Sequence, residues 1–450
     1  MKDIANNAFS VTIEFLNGLF TLNNALIVDA YFIEDIFSPF VTGGITFSDT
    51  AGIFEKGPLT GNEMITFQYT GSSEGDALIK RTFIIYKISE ITAMNNSDSN
   101  NTTIELFFID PIFMSLGIQQ FSRSWKEEYG HDIIKHIVTK IGEIDEKFLN
   151  LDNEAWEECR EKFDFYMPWW NCIDSIKWLM KRMSSKKTEL SGYLFFSNGY
   201  ESNKPEREGL STINLTTIDT LLSKTDRMKI STDDDAQYVI TPINGTNESI
   251  NETDSTQTAK MEENKVLSWS ISSIDKNSIK GIAGGHYYGF NNKEKRLIDK
   301  EYTYDENMKK HTILGLSSLF SDISLADAGR VFTGEEDETI IQNIMYDDWV
   351  SRYIMQHYVS IIVPGHHARY VGGLIEVVFP TRYTNEYPVN KALSGGYLIK
   401  TITHYFSPQD FISYRQKMVL IKNGYDTEIN GLDQAEKKNL FVNLSNTLGK

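Results

Sequence analysis

Few of the side chains able to do chemistry stand at a useful spacing. His366 and His367 are adjacent, and His357 and His404 are not far along the chain. Neighbouring residues on a strand point to opposite faces, so the pair cannot ligate one ion without a turn, and no acidic ligand is regularly spaced from it. It follows Pro364-Gly365 and reads as a polar turn. His404 lies among Thr401, Ile402 and Thr403, where a barrel-closing hydrogen bond is a better expectation than a general base. The pairs Asp347-Asp348 and Glu127-Glu128 raise the thought of a glycosidase. Adjacent carboxylates on a helix diverge by about 100°, whereas that chemistry needs two across a cleft at about 5–9 Å. Solvated helix faces are the expectation for both. Gly281, Gly284 and Gly285 lack the spacing of a dinucleotide loop, and no Ser or Cys nucleophile has a positioned His. Trp169, Trp170 and Trp178 read as packing residues rather than a sugar platform. No catalytic residue, metal ligand or cofactor site is assigned.

What these residues sit in is β-rich. Gly372-Gly373 opens a run of apolar and β-branched residues that Pro380 closes, Gly395-Gly396 opens residues 397–406, and a third run over 414–422 ends at Asn423-Gly424. The punctuation is that of a small β-barrel. Toward the N-terminus, Phe9, Val11, Ile13 and Phe15 alternate with polar residues, and strands are expected at 25–33, 45–48, 64–69, 82–91 and 103–109. Residues 1–115 therefore form one all-β unit, a barrel or sandwich.

The period then lengthens. Ile133, Ile134, Ile137, Val138, Ile141 and Ile144 share one helix face, and a second helix follows Asn171, with Asp174 placed for a capping box. Runs at 193–197 and 212–222 read as a small sheet, making residues 116–232 an α+β unit. Residues 233–265 are a polar linker or loop. Strand character returns at 266–274 and 278–283, residues 287–337 form an insertion, and a helix over 339–356 crosses to strands at 358–363 and beyond. The second β unit thus comprises 266–286 and 338–425, with a polar tail at 426–450.

At 450 residues, two to four domains are expected. The formal charge of −18 argues against phosphate-backbone binding. Two cysteines, Cys159 and Cys172, make neither a disulfide framework nor a zinc pattern. No run reaches the roughly 18–20 apolar residues of a membrane span and no apolar signal core is seen, so a soluble, unexported chain without membrane insertion is expected.

Five stretches together resemble the central baseplate-hub protein of contractile phage tails and the related base of type VI secretion spikes. The Gly61-Asn62-Glu63 turn after Phe54-Glu55-Lys56-Gly57-Pro58 looks like the hub's turn into a strand of its first barrel. Residues 121–126 before an Ile-rich helix are similar to the segment leaving that barrel. Pro168-Trp169 resembles the approach to the middle domain, and Asp347-Asp348-Trp349 the crossing helix. Gly396-Tyr397 through His404, followed by 414–420, looks like the closing strand pair of the second barrel.

The resemblance implies two small tail-tube-like barrels flanking a helix-containing middle domain, the second barrel split by the insertion. It implies a non-enzymatic, structural homotrimer forming a pseudo-six-fold ring between tail tube protein and central spike protein. Tape-measure and other baseplate proteins would be further partners, and DNA would be met only in passage through the channel. The protein would be made in the host bacterial cytoplasm and reside in the virion tail. Three copies would carry three times −18, or −54, and repel DNA phosphates. The residues 414–422 are read as an exposed edge, with Tyr414, Gln416, Met418 and Leu420 as interface candidates. The other classes are a receptor- or glycan-binding tail protein and a tail-associated cell-wall hydrolase.

Overall fold

The computed structural model describes residues 9–15, 18–49, 52, 60–70, 78–96, 99–152, 154–199, 209–224, 228–231, 234–235, 237–239, 266–272, 285–291, 295–302, 330–334, 339–344, 346–347, 358–379, 393–410 and 412–421. The strands β1 (Phe9–Phe15), β2 (Gly18–Leu22), β3 (Ile27–Asp35), β4 (Thr42–Asp49), β5 (Met64–Tyr69), β6 (Ile79–Asn96) and β7 (Ser99–Ile109) come first. In β1, Phe9, Val11 and Ile13 are buried while Ser10 and Thr12 are not, as the alternation requires. A middle unit follows: β8 (Gln120–Tyr129), α1 (Gly130–His136), β9 (Lys162–Asn171), α2 (Cys172–Met180), β10 (Tyr193–Asn198), β11 (Thr212–Thr217) and α3 (Ile218–Ser223). The rest comprises β12 (Lys229–Ser231), β13 (Asp234–Asp235), β14 (Gln237–Val239), β15 (Ser268–Ser272), β16 (Gly285–Asn291), β17 (Arg296–Tyr302), β18 (Arg330–Gly334), β19 (Tyr358–Pro364), β20 (Leu374–Val378), β21 (Gly395–Phe406) and β22 (Tyr414–Ile421).

One sheet gathers most of the strands, in the order β15-β19-β22-β21-β3-β4-β7-β6-β5-β1-β2, with β20 paired to β21 and to β14. The two β units are therefore joined edge to edge, and no ladder closes a barrel among the described residues. The cause is β21, whose twelve residues reach two neighbours on one side. Leu398 to Gly395 pair with β20, and Thr401 to Phe406 pair with β3. The N-terminal part of the sheet is one unbroken ladder from β3 to β2, and it curls strongly. Phe9 of β1 meets Phe406 of β21 at 5.3 Å between ring centroids, although five strands separate them in the ladder order. Inside the curl lie Phe32, Phe67, Phe83, Phe108 and Phe406, all but excluded from water. Each such ring stabilises the fold by about 1.5–3 kcal/mol relative to exposure.

In the middle unit the isoleucine stripe is buried as its spacing demands, but α1 ends at His136 and the chain continues as a π-turn over Ile137–Ile141. Asn171 caps α2, its side chain accepting from Asp174 N at 2.7 Å. Three expectations are corrected. Residues 218–222 are helical, because Thr217 caps α3 by accepting from Thr220 N. Glu127 and Glu128 lie on β8 rather than on a helix, in an antiparallel β8–β9 pair whose alternation is broken by two bulges. Part of the polar stretch is structural, since β14 pairs in parallel with β20. β16, β17 and β18 make a separate three-stranded sheet within the expected insertion. The expected strand at 278–283, most of 233–265, Asp348 and the tail at 426–450 lie outside the described residues.

Gly43 sets how closely β4 approaches its neighbours. A Cβ there would stand 2.3 Å from the Tyr31 carbonyl oxygen and 2.5 Å from the Phe108 ring. Gly43→Ala should therefore destabilise the fold by about 2–3 kcal/mol, read as a lower urea midpoint at unchanged slope.

Candidate functional site: a buried polar seam between the units

β3 and β6 each turn one charged side chain toward the aromatic core. Glu34 on β3 and Arg81 on β6 are both inaccessible to water, and Arg81 Nη1 donates to Glu34 Oε1 at 2.5 Å. The same Glu34 oxygen accepts from Gly199 N at 2.9 Å, and Arg81 Nη2 donates to Ser211 Oγ at 3.1 Å. The pair thus ties the first β unit to the ends of β10 and β11. Phe32 and Phe83 offer ring faces to the guanidinium at 5.3 and 5.5 Å. Burial alone would lower the Arg81 pKa, but the Glu34 charge outweighs it, and the group stays cationic.

A second polar chain runs beside it. The His404 ring stacks on Phe32 at 4.2 Å, and its Nδ1 is 2.9 Å from Tyr414 Oη. Gln416 Nε2 donates to Tyr414 Oη at 3.0 Å and to the His366 carbonyl at 2.9 Å. Its Oε1 accepts from His366 N at 3.1 Å and from Arg369 Nη1 at 2.8 Å, so both donors and both acceptor positions of the amide are used. Burial, and then the Arg369 charge, brings the His366 pKa down to about 3. Burial likewise holds His404 well below its ordinary value, with Arg81 and Arg369 adding to the effect. Both rings are neutral near pH 7. The seam ties segments of three parts of the chain together.

The residues singled out in the sequence fall in separate places. His404 makes a hydrogen bond to the neighbouring strand β22, in a sheet that closes no barrel among the described residues. His366 and His367 stack on each other at 4.6 Å in the turn after β19, and His357 lies outside the described residues. Gly61 takes φ +89°, and the Glu63 carboxylate organises the turn, accepting from Thr60 N at 2.6 Å, Thr60 Oγ1 at 2.7 Å, Gly61 N at 2.9 Å and Asn62 N at 3.1 Å. Tyr397 is buried next to Gly396 at the start of β21, its hydroxyl donating to the Leu393 carbonyl. Pro168 and Trp169 form a kink in β9. Trp169 has φ +52° and is 65% exposed, so the expectation that it packs is wrong. Trp178 does pack, stacked on Phe165 at 5.0 Å.

Tyr414, Gln416, Met418 and Leu420 require a correction. All four are fully buried, and β22 is hydrogen-bonded to β19 on one side and β21 on the other. An alternating strand with one buried face looks the same in sequence whether it is central or at an edge. Glu34, Arg81 and Arg369 were passed over. The available signal is a charge at an inward position, two residues after buried Phe32 in one strand and two before buried Phe83 in the other.

No family model matches the chain, and no curated protein matches its sequence. Its shape does have counterparts among solved structures. The tail protein from Neisseria meningitidis MC58 is 10% identical and superposes with a TM-score of 0.51 over 92% of this chain and 96% of that one. This chain has the fold of a phage tail protein. The 43 kDa tail protein of prophage MuSo2 from Shewanella oneidensis, also 10% identical, gives 0.52 over 92% of this chain and 98% of that one. The match to the tail-protein fold thus covers 92% of the chain, and the resemblance is borne out at the level of fold.

Two outcomes follow from the geometry. Arg81→Met should cost about 3–5 kcal/mol by stranding Glu34, and adding Glu34→Leu should recover part of that loss, giving a large coupling energy in a urea double-mutant cycle. Burial would raise the Glu63 carboxyl, but hydrogen bonds from Thr60 and Gly61 outweigh it and hold it below its ordinary value. Its stabilisation is therefore present above the unfolded carboxylate pKa and lost as pH falls through the folded one. Glu63→Gln should cost about 1–2 kcal/mol at pH 7, and the gap from the parent should close on acidification.

Proposed function

We propose that the chain is a non-enzymatic hub subunit of a phage tail or related contractile injection device. Three copies would form a pseudo-six-fold ring joining tail tube to central spike, with DNA passing through its channel in the virion tail. The two β parts, 1–115 and 266–286 with 338–425, would supply the ring, and the middle part, 116–232, would buttress it. The observation that carries this reading is the tail-protein fold over 92% of the chain. The open sheet path supports it, since the path ends in two five-residue strands, β2 and β15, each paired on one side only among the described residues.

These edges take the place of β22 as the ring contact. Joining β2 of one copy to β15 of the next is a head-to-tail contact, the kind that closes a ring when the rotation allows. Main-chain hydrogen bonds would supply the affinity. Leu19 on β2 is 73% exposed and Ile271 on β15 is 40% exposed, so each edge also presents an apolar side chain.

Light scattering of the purified chain should give three times the 51.5 kDa chain mass. Leu19→Lys with Ile271→Lys should return the single-chain mass with unchanged circular dichroism. A parent chain that stays monomeric even with spike protein added would sink the hub reading.

A further inference from the structure

A sheet in register lines up its outward side chains in rows, and one row of the main sheet is unusual. Arg415, Tyr405, Tyr31, Gly44, Phe107 and Lys87 stand opposite one another across β22, β21, β3, β4, β7 and β6. Because Gly44 has no side chain, the rings of Tyr31 and Phe107 can both lean over its strand from either side. A Cβ there would lie 3.2 Å from Tyr31 Cε1 and Oη and 3.3 Å from Phe107 Cδ1. Tyr405 continues the row, its ring 6.3 Å from that of Tyr31, and it is 37% exposed. The next row sets Asp29 and Glu105 on either side of Thr46. Burial first, and then the charges of Glu105 and Asp29, holds the Tyr31 phenol above its ordinary pKa, so both carboxylates act on that ring.

We propose that this platform docks a basic segment of a partner protein, its Lys or Arg side chains lying over Tyr31 and Tyr405 and paired with Asp29 and Glu105. Ring faces carry negative potential, and cations over them gain further from carboxylates alongside. The row already contains one such contact, since Lys87 Nζ sits 5.5 Å from the Phe107 ring centre. Arg415, at the other end, is paired with Asp410 and does not compete for the carboxylates. A net charge of −18 favours a cationic partner at long range as well. A neutral glycan would stack on the rings without calling on the carboxylate charge. The platform lies on the outward face, away from the β2 and β15 edges in the sheet order, so it does not depend on ring formation.

The test uses the full chain and a fluorescein-labelled hexa-arginine peptide, followed by anisotropy at two salt concentrations. Tyr405→Leu and Glu105→Gln should each weaken binding roughly three- to tenfold, Gly44→Ala should weaken it by displacing Tyr31, and Glu143→Gln, on the middle unit, should leave it unchanged. Thermal midpoints identify any variant that fails to fold; Tyr405→Leu keeps its apolar bulk and Glu105→Gln its shape, so these two decide the matter. Equal losses in all carboxylate variants, Glu143→Gln included, would mean unspecific charge attraction and overturn the proposal. So would unchanged binding in both deciding variants, or displacement of the peptide by chitohexaose.

Discussion

Everything in this molecule hangs on β21 being long enough to belong to two places at once. Its first residues pair with β20, its last with β3, and β22 runs along its other side from Leu398 to Phe406. Where it passes from one neighbour to the next, a register shift between Ile399 and Thr401 accommodates Lys400, whose Nζ donates to Asp35 Oδ2 at 2.7 Å. Thr401 Oγ1 donates to the same oxygen at 2.7 Å, and Ile36 N to the Lys400 carbonyl at 3.0 Å. A strand shared in this way makes slippage costly on both sides, because a one-residue shift would exchange its two faces, both of which are buried over residues 397–404.

The seam beneath that strand carries the complementary constraint. Phe32 touches both halves of it, stacked on His404 and under Arg81. Apolar rings fill the curled sheet, and rings alone tolerate several packings. An ion pair and a fully satisfied amide do not, since any arrangement that separates Arg81 from Glu34 or leaves Gln416 unmet strands a buried polar group. The net stability such groups add is small; what they add is a preference for one arrangement. The contacts reach Gly199, Ser211, His366 and Arg369, so that preference extends to the turns of the middle unit and of the second β unit.

How legible this was varied with the range of the interaction that decides each feature. Local patterns were readable: the alternation of β1, the isoleucine stripe of α1, and the Asn171 cap, each set by residues within a few positions. The placement of β22 was not, because its buried pattern of Tyr414, Gln416, Met418 and Leu420 says which face is inside and nothing about which strands lie alongside. Continuity of the two β units depended on β3 meeting β21, a pairing between residues more than 360 positions apart. The antiparallel β8–β9 pair was hidden as well. Its two bulges and the left-handed Trp169 interrupt the period that would have revealed it. The chemistry-bearing residues were read correctly where the argument was geometric, as for adjacent histidines, and missed where a charge sat inside an apolar run.

The open ends of the sheet pose a problem that the composition bears on. An unpaired edge invites any other edge, and proteins usually blunt such strands by keeping them short or charged. Here β2 and β15 are each five residues long, and every copy carries a formal charge of −18. At long range two copies repel, and salt at about 0.15 M confines that repulsion to roughly 8 Å. Only edges that come within hydrogen-bonding distance in register gain enough to offset what repulsion remains at contact. Short edges on a highly charged body therefore disfavour chance strand addition while leaving a matched, repeated contact available. The charge therefore also keeps stray copies apart.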